Sequence, residues 1–349
     1  MCNADMLPSL LCFEVLCVLA LEDPYDSHNH NRLEHVGKLV HLRHLKLASM
    51  GIRELPKDIG HLKFLLVLDL GGSSITELPE SIGQLSQLKC LNICRTGIAV
   101  PCWIGSLTSL EELSLGEVDD GSNFVTELGK LTELRKLRIC RGVYLYDDDS
   151  RMNNWAESVA KLSKIQVIDI GSVDGWRDSI HEESPWEQYA LSPQLRVLRM
   201  AYEELGLVAT INPRLLPNLS HLKLLVYSPE LEVFGNFREL VSLELHTWSA
   251  LHDTMGGAGA FPKLRVFKTD ASLASFQKED MPVLESLKFN VVAQSNDDGI
   301  SFDFDFRSLG NLPLLKEVIV VLFATPADKK KAEEMVSVQL KCFRNVSWI

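Results

Sequence analysis

The chain has 349 residues, 46% hydrophobic and 23% charged, with a net charge of −12. This is the composition of a globular protein with ample apolar residues for a core, and the acidic balance argues against wholesale binding to nucleic acid or to an anionic membrane surface. No run reaches the roughly 18 apolar residues that a membrane span requires.

At the N-terminus, Leu7 to Leu21 has the apolar look of a secretion signal. No basic residue precedes it, however, and Glu14 interrupts it. Leu16-x-x-Leu19-x-Leu21 reads instead as a first strand, because the same frame recurs downstream. From Leu42 the chain runs LRHLKLASMGIRELPKDIGHLKF, then LLVLDLGGSSITELPESIGQLSQ, then LKCLNICRTGIAVPCWIGSLTS. Each segment opens on L-x-x-L-x-[LI], passes L-P or V-P, and closes on I-G-x-L. Repeats of this length are the signature of a stacked architecture.

One repeat can be read physically. Leu68 and Leu70 are two apart, so both point to the same face of a short strand. Gly71, Gly72, Ser73 and Ser74 turn the chain. Pro79 has no N–H for a strand ladder and fits the side away from the sheet. Ile82 and Leu85, three apart, bring apolar groups back inward from a helical turn. A single repeat has no closed core; stacking closes it, with each strand pairing in parallel to the next.

The strand frame recurs from Leu16, Leu42, Leu65, Leu88, Leu110, Leu134, Ile165, Leu195, Leu219, Leu240, Leu264, Leu284 and Leu315, thirteen times in all, at spacings of 20 to 31 residues. The spacing is regular up to about residue 140 and irregular beyond. Two insertions stand out: Arg141 to Asn153, with Asp147, Asp148 and Asp149 before a helix-like NWAESVAKL, and Gly171 to Pro193, with Trp176, His181, Glu182, Glu183 and Trp186. Between the last two frames, Phe302-Asp303-Phe304-Asp305-Phe306 alternates strictly and reads as a half-buried extended segment. Residues 1–325 are therefore expected to form a repeat stack, and 326–349 a cap: Ala332, Met335, Val336 and Leu340 lie on one helical stripe, and Asn345 to Ile349 suits a short final strand.

Catalytic and cofactor chemistry finds no constellation. There is no G-x-x-x-x-G-K-[ST] phosphate loop; the run Gly256-Gly257-Ala258-Gly259 lacks that ending, since Pro262 and Lys263 do not replace it, and reads as a connection. No G-x-S-x-G elbow occurs. His28, His30 and His35 lack a matched second pair of ligands for a metal, and Asp147 to Asp149 read as a solvated loop. The expectation is a chain that is no enzyme, with no catalytic, cofactor or metal site and no small-molecule substrate. The cysteines (Cys2, Cys12, Cys17, Cys90, Cys94, Cys102, Cys140, Cys342) form no C-x-x-C pair and no regular ladder, which favours a reducing compartment and a cytoplasmic location.

The frame L-x-x-L-x-L-x-x-[TS]-x-I-x-x-L-P-x-x-I-G-x-L resembles the leucine-rich-repeat region of plant nucleotide-binding immune receptors. LDLGGSSITELPESIGQL and LNICRTGIAVPCWIGSL carry the resemblance, with Ser73 and Thr96 where animal scaffolds usually have Asn. The tail SLGNLPLLKEVIVVLFATPADKKKAEEM is similar to the end of the coiled-coil class of these receptors in grasses. The resemblance covers about residues 10 to 349. It implies an α/β fold, a leucine-rich-repeat solenoid curved as a horseshoe, with about thirteen parallel strands on the concave face and loops and short helices on the convex face. It also implies protein partners: a pathogen effector, or a nucleotide-binding module in cis or trans. Because that module is missing upstream of Met1, a fragment or truncated gene product is suggested. An intracellular ras-group-like repeat scaffold is the alternative; such scaffolds keep a 23-residue period with Asn, whereas this chain drifts.

The expected partner surface is the sheet. The fourth and sixth frame positions face the core, so the third and fifth face solvent, with the second at their edge. Over the second, third and fifth positions there are thirteen Lys or Arg and seven Asp or Glu, a surplus of six positive charges that leaves −18 for the rest of the chain. Lys46, Asp69, Arg138, Asp169, Arg199, Lys223, Glu244, Lys268 and Lys288 are the candidate contact residues for an acidic protein, with Trp176 and Trp186 as candidate rim anchors. Lysine and arginine also suit any exposed strand, where they discourage edge pairing, so a merely solvated face is the other reading.

Overall fold

The computed structural model describes residues 13, 15–22, 33, 35–48, 51–116, 118, 123–141, 149–171, 189–200, 211–226, 231–247, 259–296, 299–340 and 345–348. They fall into two compact units, one up to residue 192 and one from residue 193. All thirteen expected strands are present, each starting two residues after its frame residue.

The first unit holds seven of them: β1 Val18–Ala20, β2 His44–Lys46, β3 Val67–Asp69, β4 Cys90–Asn92, β5 Glu112–Leu115, β6 Lys136–Ile139 and β7 Val167–Ile170. They pair in parallel and in sequence order. Register follows the frame: Leu45, Leu68, Leu91, Leu113 and Leu137 lie opposite one another across successive strands, and all five are fully buried. Alternation puts every second side chain on this inner face, and lateral pairing turns isolated leucines into a continuous row.

The opposite side of each repeat is a short 3-10 turn, at Lys57–His61, Glu80–Gln84 and Ile104–Ser106. Pro56 and Pro79 precede the first two, where a missing N–H costs nothing, and their carbonyls accept from Ile59 and Ile82. The glycine of I-G-x-L has a specific cause. A Cβ placed on Gly60 would lie 2.6 Å from Ser81 Cβ and 2.7 Å from the Ser81 carbonyl oxygen of the next turn. Neighbouring turns close up only because no side chain stands between them, and Ser81 Oγ then donates to the Lys57 carbonyl at 2.7 Å.

The insertion after β6 contributes helix α2, Asp149–Ala160, preceded by the short α1, Phe124–Leu128. Trp155, Ala156 and Val159 of α2 are buried, as its apolar spacing requires. Residues 142–148 and 172–188 lie outside the described residues. The reducing compartment expected from the cysteine spacing meets an exception here: Cys94 and Cys140, 6.2 Å apart at Cα, form a disulfide. A separation of 46 residues spans two repeats, so no adjacent-repeat ladder in the sequence announces it.

The second unit contains β8 Val197–Met200, β9 His221–Val226, α3 Leu231–Gly235, β10 Ser242–Thr247, β11 Val266–Ser272, β12 Ser286–Asn296, β13 Gly299–Phe302, β14 Glu317–Phe323, α4 Lys329–Gln339 and β15 Asn345–Trp348. Its strands are longer, because alternation continues past the frame, as in Leu222-Leu224-Val226, all buried. β8 to β12, β14 and β15 pair in parallel. β13 folds back antiparallel on β12, closing on Gly299, whose φ of +125° suits glycine. The Phe-Asp alternation holds in burial but not as an extended segment: Phe304 and Phe306 are buried, with Phe304 packed edge-on against Phe289 at 4.6 Å, and Asp303 and Asp305 face out, but β13 ends at Phe302, the chain bends at 303 and 304, and Phe306 opens a 3-10 turn to Asn311. Helix α4 buries Ala332, Val336 and, just beyond its end, Leu340, with Met335 half-buried beside them.

Two substitutions separate core filling from close approach. Leu91→Ala should cost ~2–5 kcal/mol in denaturant unfolding, as a truncation in a fully packed row. Gly60→Ala should cost roughly 1–3 kcal/mol through overpacking, whereas Gly310→Ala, where an added Cβ meets nothing within 4 Å, should change stability far less. Equal effects at the two glycines would remove the close-approach account.

Candidate protein-binding face

The outward sheet positions carry the charges expected, but most are spent on one another. In the first unit, Lys46 pairs with Glu22, and this contact raises the pKa of the lysine. Asp69 is occupied in holding its turn: its Oδ1 accepts from Gly71 N at 3.1 Å and from Asn92 Nδ2 at 2.7 Å. Arg138 Nε lies 3.7 Å from Asp169 Oδ2. At the second frame position, Glu111 sits between Lys89 at 2.7 Å and Arg135 at 3.6 Å; the Lys89 hydrogen bond lowers the pKa of the carboxyl.

The second unit repeats that motif, with Glu285 between Lys316 at 2.8 Å and Arg265 at 3.6 Å and its pKa lowered chiefly by the Lys316 hydrogen bond. Arg199 on β8 lies beside Lys223 on β9. Burial, followed by the charge of Arg199, lowers the pKa of His221. Lys223 Nζ donates to Glu244 Oε1 at 2.7 Å, and His246 Nε2 lies 2.9 Å from the same oxygen. His246 Nδ1 is 3.0 Å from Asp270 Oδ2, while the other Asp270 oxygen accepts from Thr247 N at 2.7 Å. Sequence reasoning found Glu244 but missed His246 and Asp270. Both lie beyond the six-residue frame, on strands that continue two residues further in β10 and three in β11, and that continued alternation was the available signal.

Lys268 and Lys288 differ from the rest. They are Cα partners on β11 and β12, half-buried, and neither makes an ion pair or side-chain hydrogen bond among the described residues. Next in the same row, Lys288 faces Ile319 on β14. Trp176 and Trp186 lie outside the described residues. Gly256 to Ala258 of the glycine run do too, and Lys263 after it is bound to both carboxylate oxygens of Glu239, at 2.7 and 2.8 Å. A recess of about 760 Å³ before β9 and β10 is lined by Asn212, Arg214, Leu216, Phe237, Arg238 and Glu239, among others, and its carboxylate, that of Glu239, is the one held by Lys263. Among the described residues no group of three potential metal ligands occurs, and no helix is long and apolar enough to cross a membrane.

The Lys223–Glu244–His246 cluster has a pH consequence. Burial opposes the charge of Glu244, but the hydrogen bonds and charges of Lys223 and His246 outweigh it and lower its pKa. A carboxyl whose folded pKa lies below its unfolded one stabilises the fold above the unfolded value, and that stabilisation is lost as pH falls through the folded one. Glu244→Gln should therefore lower the melting temperature at neutral pH, with the difference from wild type closing as pH drops below 4.5. A gap that persists unchanged in acid would mean that the pairing contributes nothing.

The leucine-rich repeat region family matches residues 1–346. Among solved structures, a leucine-rich-repeat protein of Leptospira interrogans is similar with a TM-score of 0.58 and 18% identity over 95% of this chain and 81% of that one. An internalin of Listeria monocytogenes gives 0.60 and 16% over 90% and 82%. At these identities the likeness is one of fold. No curated protein matches the chain. Parallel strands in frame register, leucines buried in rows and a family match over nearly the whole length agree, and the chain belongs to the leucine-rich repeat region family.

Proposed function

We propose that this protein is a recognition module of plant innate immunity, which binds another protein across the outward faces of its sheets and acts in the cytoplasm without catalytic activity of its own. Leucine-rich repeat domains are generally protein–protein interaction modules, and the finer assignment rests on the resemblance carried by LDLGGSSITELPESIGQL and by the C-terminal tail. The single observation that favours a charged protein surface as partner is the surplus of six positive charges on the outward strand positions of a chain whose remainder carries −18. Charge patterned in this way raises association rates and discriminates among partners more than it adds affinity. The partner is a pathogen effector or the nucleotide-binding module of such a receptor.

The test is biolayer interferometry of the purified chain against the separately expressed nucleotide-binding module of a receptor of this class and against secreted pathogen proteins. Association should occur with a rate that falls as salt rises. No association with any of them, or a rate indifferent to salt, would overturn the reading. Calorimetry with magnesium and ATP should give no saturable heat; saturable binding abolished by Lys263→Ala would show a nucleotide function at the glycine run.

A further inference from the structure

We propose that Lys268 and Lys288, with the apolar outward face of β14, form the docking site for an acidic segment of a protein partner, one that presents adjacent carboxylates beside a large apolar side chain. This rests on the reading of the sheet faces as a protein-binding surface and names the chemistry of one part of it. The ion pairs of the second unit leave these two lysines over as neighbours on adjacent strands. Along the fifth-position row, Lys223 is bound to Glu244; along the second-position row, Arg265 and Lys316 share Glu285. Lys268 has Glu244 as its neighbour in register, but Glu244 Oε1 already accepts from Lys223 and contacts His246. Asp270, two residues along, is held by His246 and Thr247, and Glu317 accepts from Ser286 at 2.6 Å. Two lysines with no ion pair among the described residues therefore stand as Cα partners on strands about 4.8 Å apart, and like charges directly opposite each other destabilise a sheet. A carboxylate between them removes that repulsion.

The other half of the site is apolar. β12 and β14 place Lys288 beside Ile319, Asn290 beside Val321, and Val292 beside Phe323. Ile319, Val321 and Val292 are half-buried on the outward face, and Phe323 is 53% exposed. Strand preference accounts for β-branched residues in β14, but it does not account for a phenylalanine left half in water beside them. A surface that joins unpaired cations to apolar side chains fits a peptide better than a polyanion. A phosphate backbone has no use for the apolar half, and the overall charge of −12 repels an extended polyanion or an anionic membrane surface.

The experiment uses the full chain and a fluorescein-labelled twelve-residue peptide containing Glu-Glu followed by Leu and Phe. Control peptides carry Gln-Gln for Glu-Glu, or Ser-Ser for Leu-Phe. Fluorescence anisotropy should show binding of the first peptide, weakened by salt and about tenfold tighter than either control. Lys268→Ala with Lys288→Ala, and separately Val321→Ser, should each weaken it about tenfold while the thermal melt stays in place; Arg307→Ala, elsewhere on the unit, should leave it unchanged. Equal binding of the three peptides, or indifference to these variants, would overturn the site. So would equal binding of phosphatidylserine vesicles, which would mark a charge-only surface, or a concentration-dependent dimer in sedimentation that Val321→Ser abolishes, which would assign the patch to a second copy of the chain. If the protein partners tested above bind a variant combining Lys268→Ala, Lys288→Ala and Val321→Ser as well as wild type, this site alone falls. If no protein partner binds at all, the broader reading falls, whatever the peptide does.

Discussion

Lateral stacking of repeats is the constraint on which everything else depends. A strand of three or four residues followed by a 3-10 turn cannot enclose an apolar core, since both ends of the repeat are open. Enclosure comes only when Leu68 lies between Leu45 and Leu91, and Leu91 between Leu68 and Leu113. Within each unit the same parallel pairing satisfies the strand backbones and fills the core, so a lost register would cost both together. The turn side must match the strand side in spacing, and for that reason the chain keeps a glycine at Gly60, where Ser81 arrives at contact distance.

Stacking also governs the electrostatics of the sheet face. It brings residues 20 to 31 positions apart in sequence to the separation of neighbouring strands, and charges at equivalent frame positions meet. The result is a series of cross-strand pairs, among them Glu111 shared by Lys89 and Arg135 and Glu285 shared by Arg265 and Lys316. Exposed pairs of this kind contribute little to stability, about 0–1 kcal/mol each. Their larger effect is on what the surface offers to a partner. A row that is basic by count is mostly neutralised by its own neighbours, and recognition then falls to positions where pairing is incomplete. Charge counted over a face and charge available for direct contact are separate quantities: the first steers association from a distance, and the second decides where a partner can be held.

The two units solve the stacking problem differently. In the first, strands are short and turn signals such as Gly71-Gly72 follow at once, so the outward face is narrow. In the second, alternation runs on past the frame, and β9 to β12 and β14 reach six to eleven residues. Longer strands widen the outward face and admit a second row of side chains, the row that holds His246, Asp270 and Val321. The contacts that link Lys223, Glu244, His246 and Asp270 therefore lie where the repeats are least regular.

The sequence alone determined where strands begin, which leucines are buried, and that Ala332, Val336 and Leu340 share one buried stripe, because each of these follows from periodicity within one repeat or one helix; the reason for the glycine in I-G-x-L came from the structure, since it depends on Ser81 of the next turn. It also put Arg138 beside Asp169 and Lys268 beside Lys288, since frame position sets strand register. Only the tertiary structure decided which neighbour each charge takes. Glu244 has Lys223 and Lys268 on either side and His246 along its own strand, and side-chain reach and competing hydrogen bonds select Lys223 and His246. The Cys94–Cys140 disulfide was likewise beyond the pattern, because it joins turns two repeats apart. Periodicity is a property of the chain in one dimension, whereas the choice among partners is made in the two dimensions of the sheet.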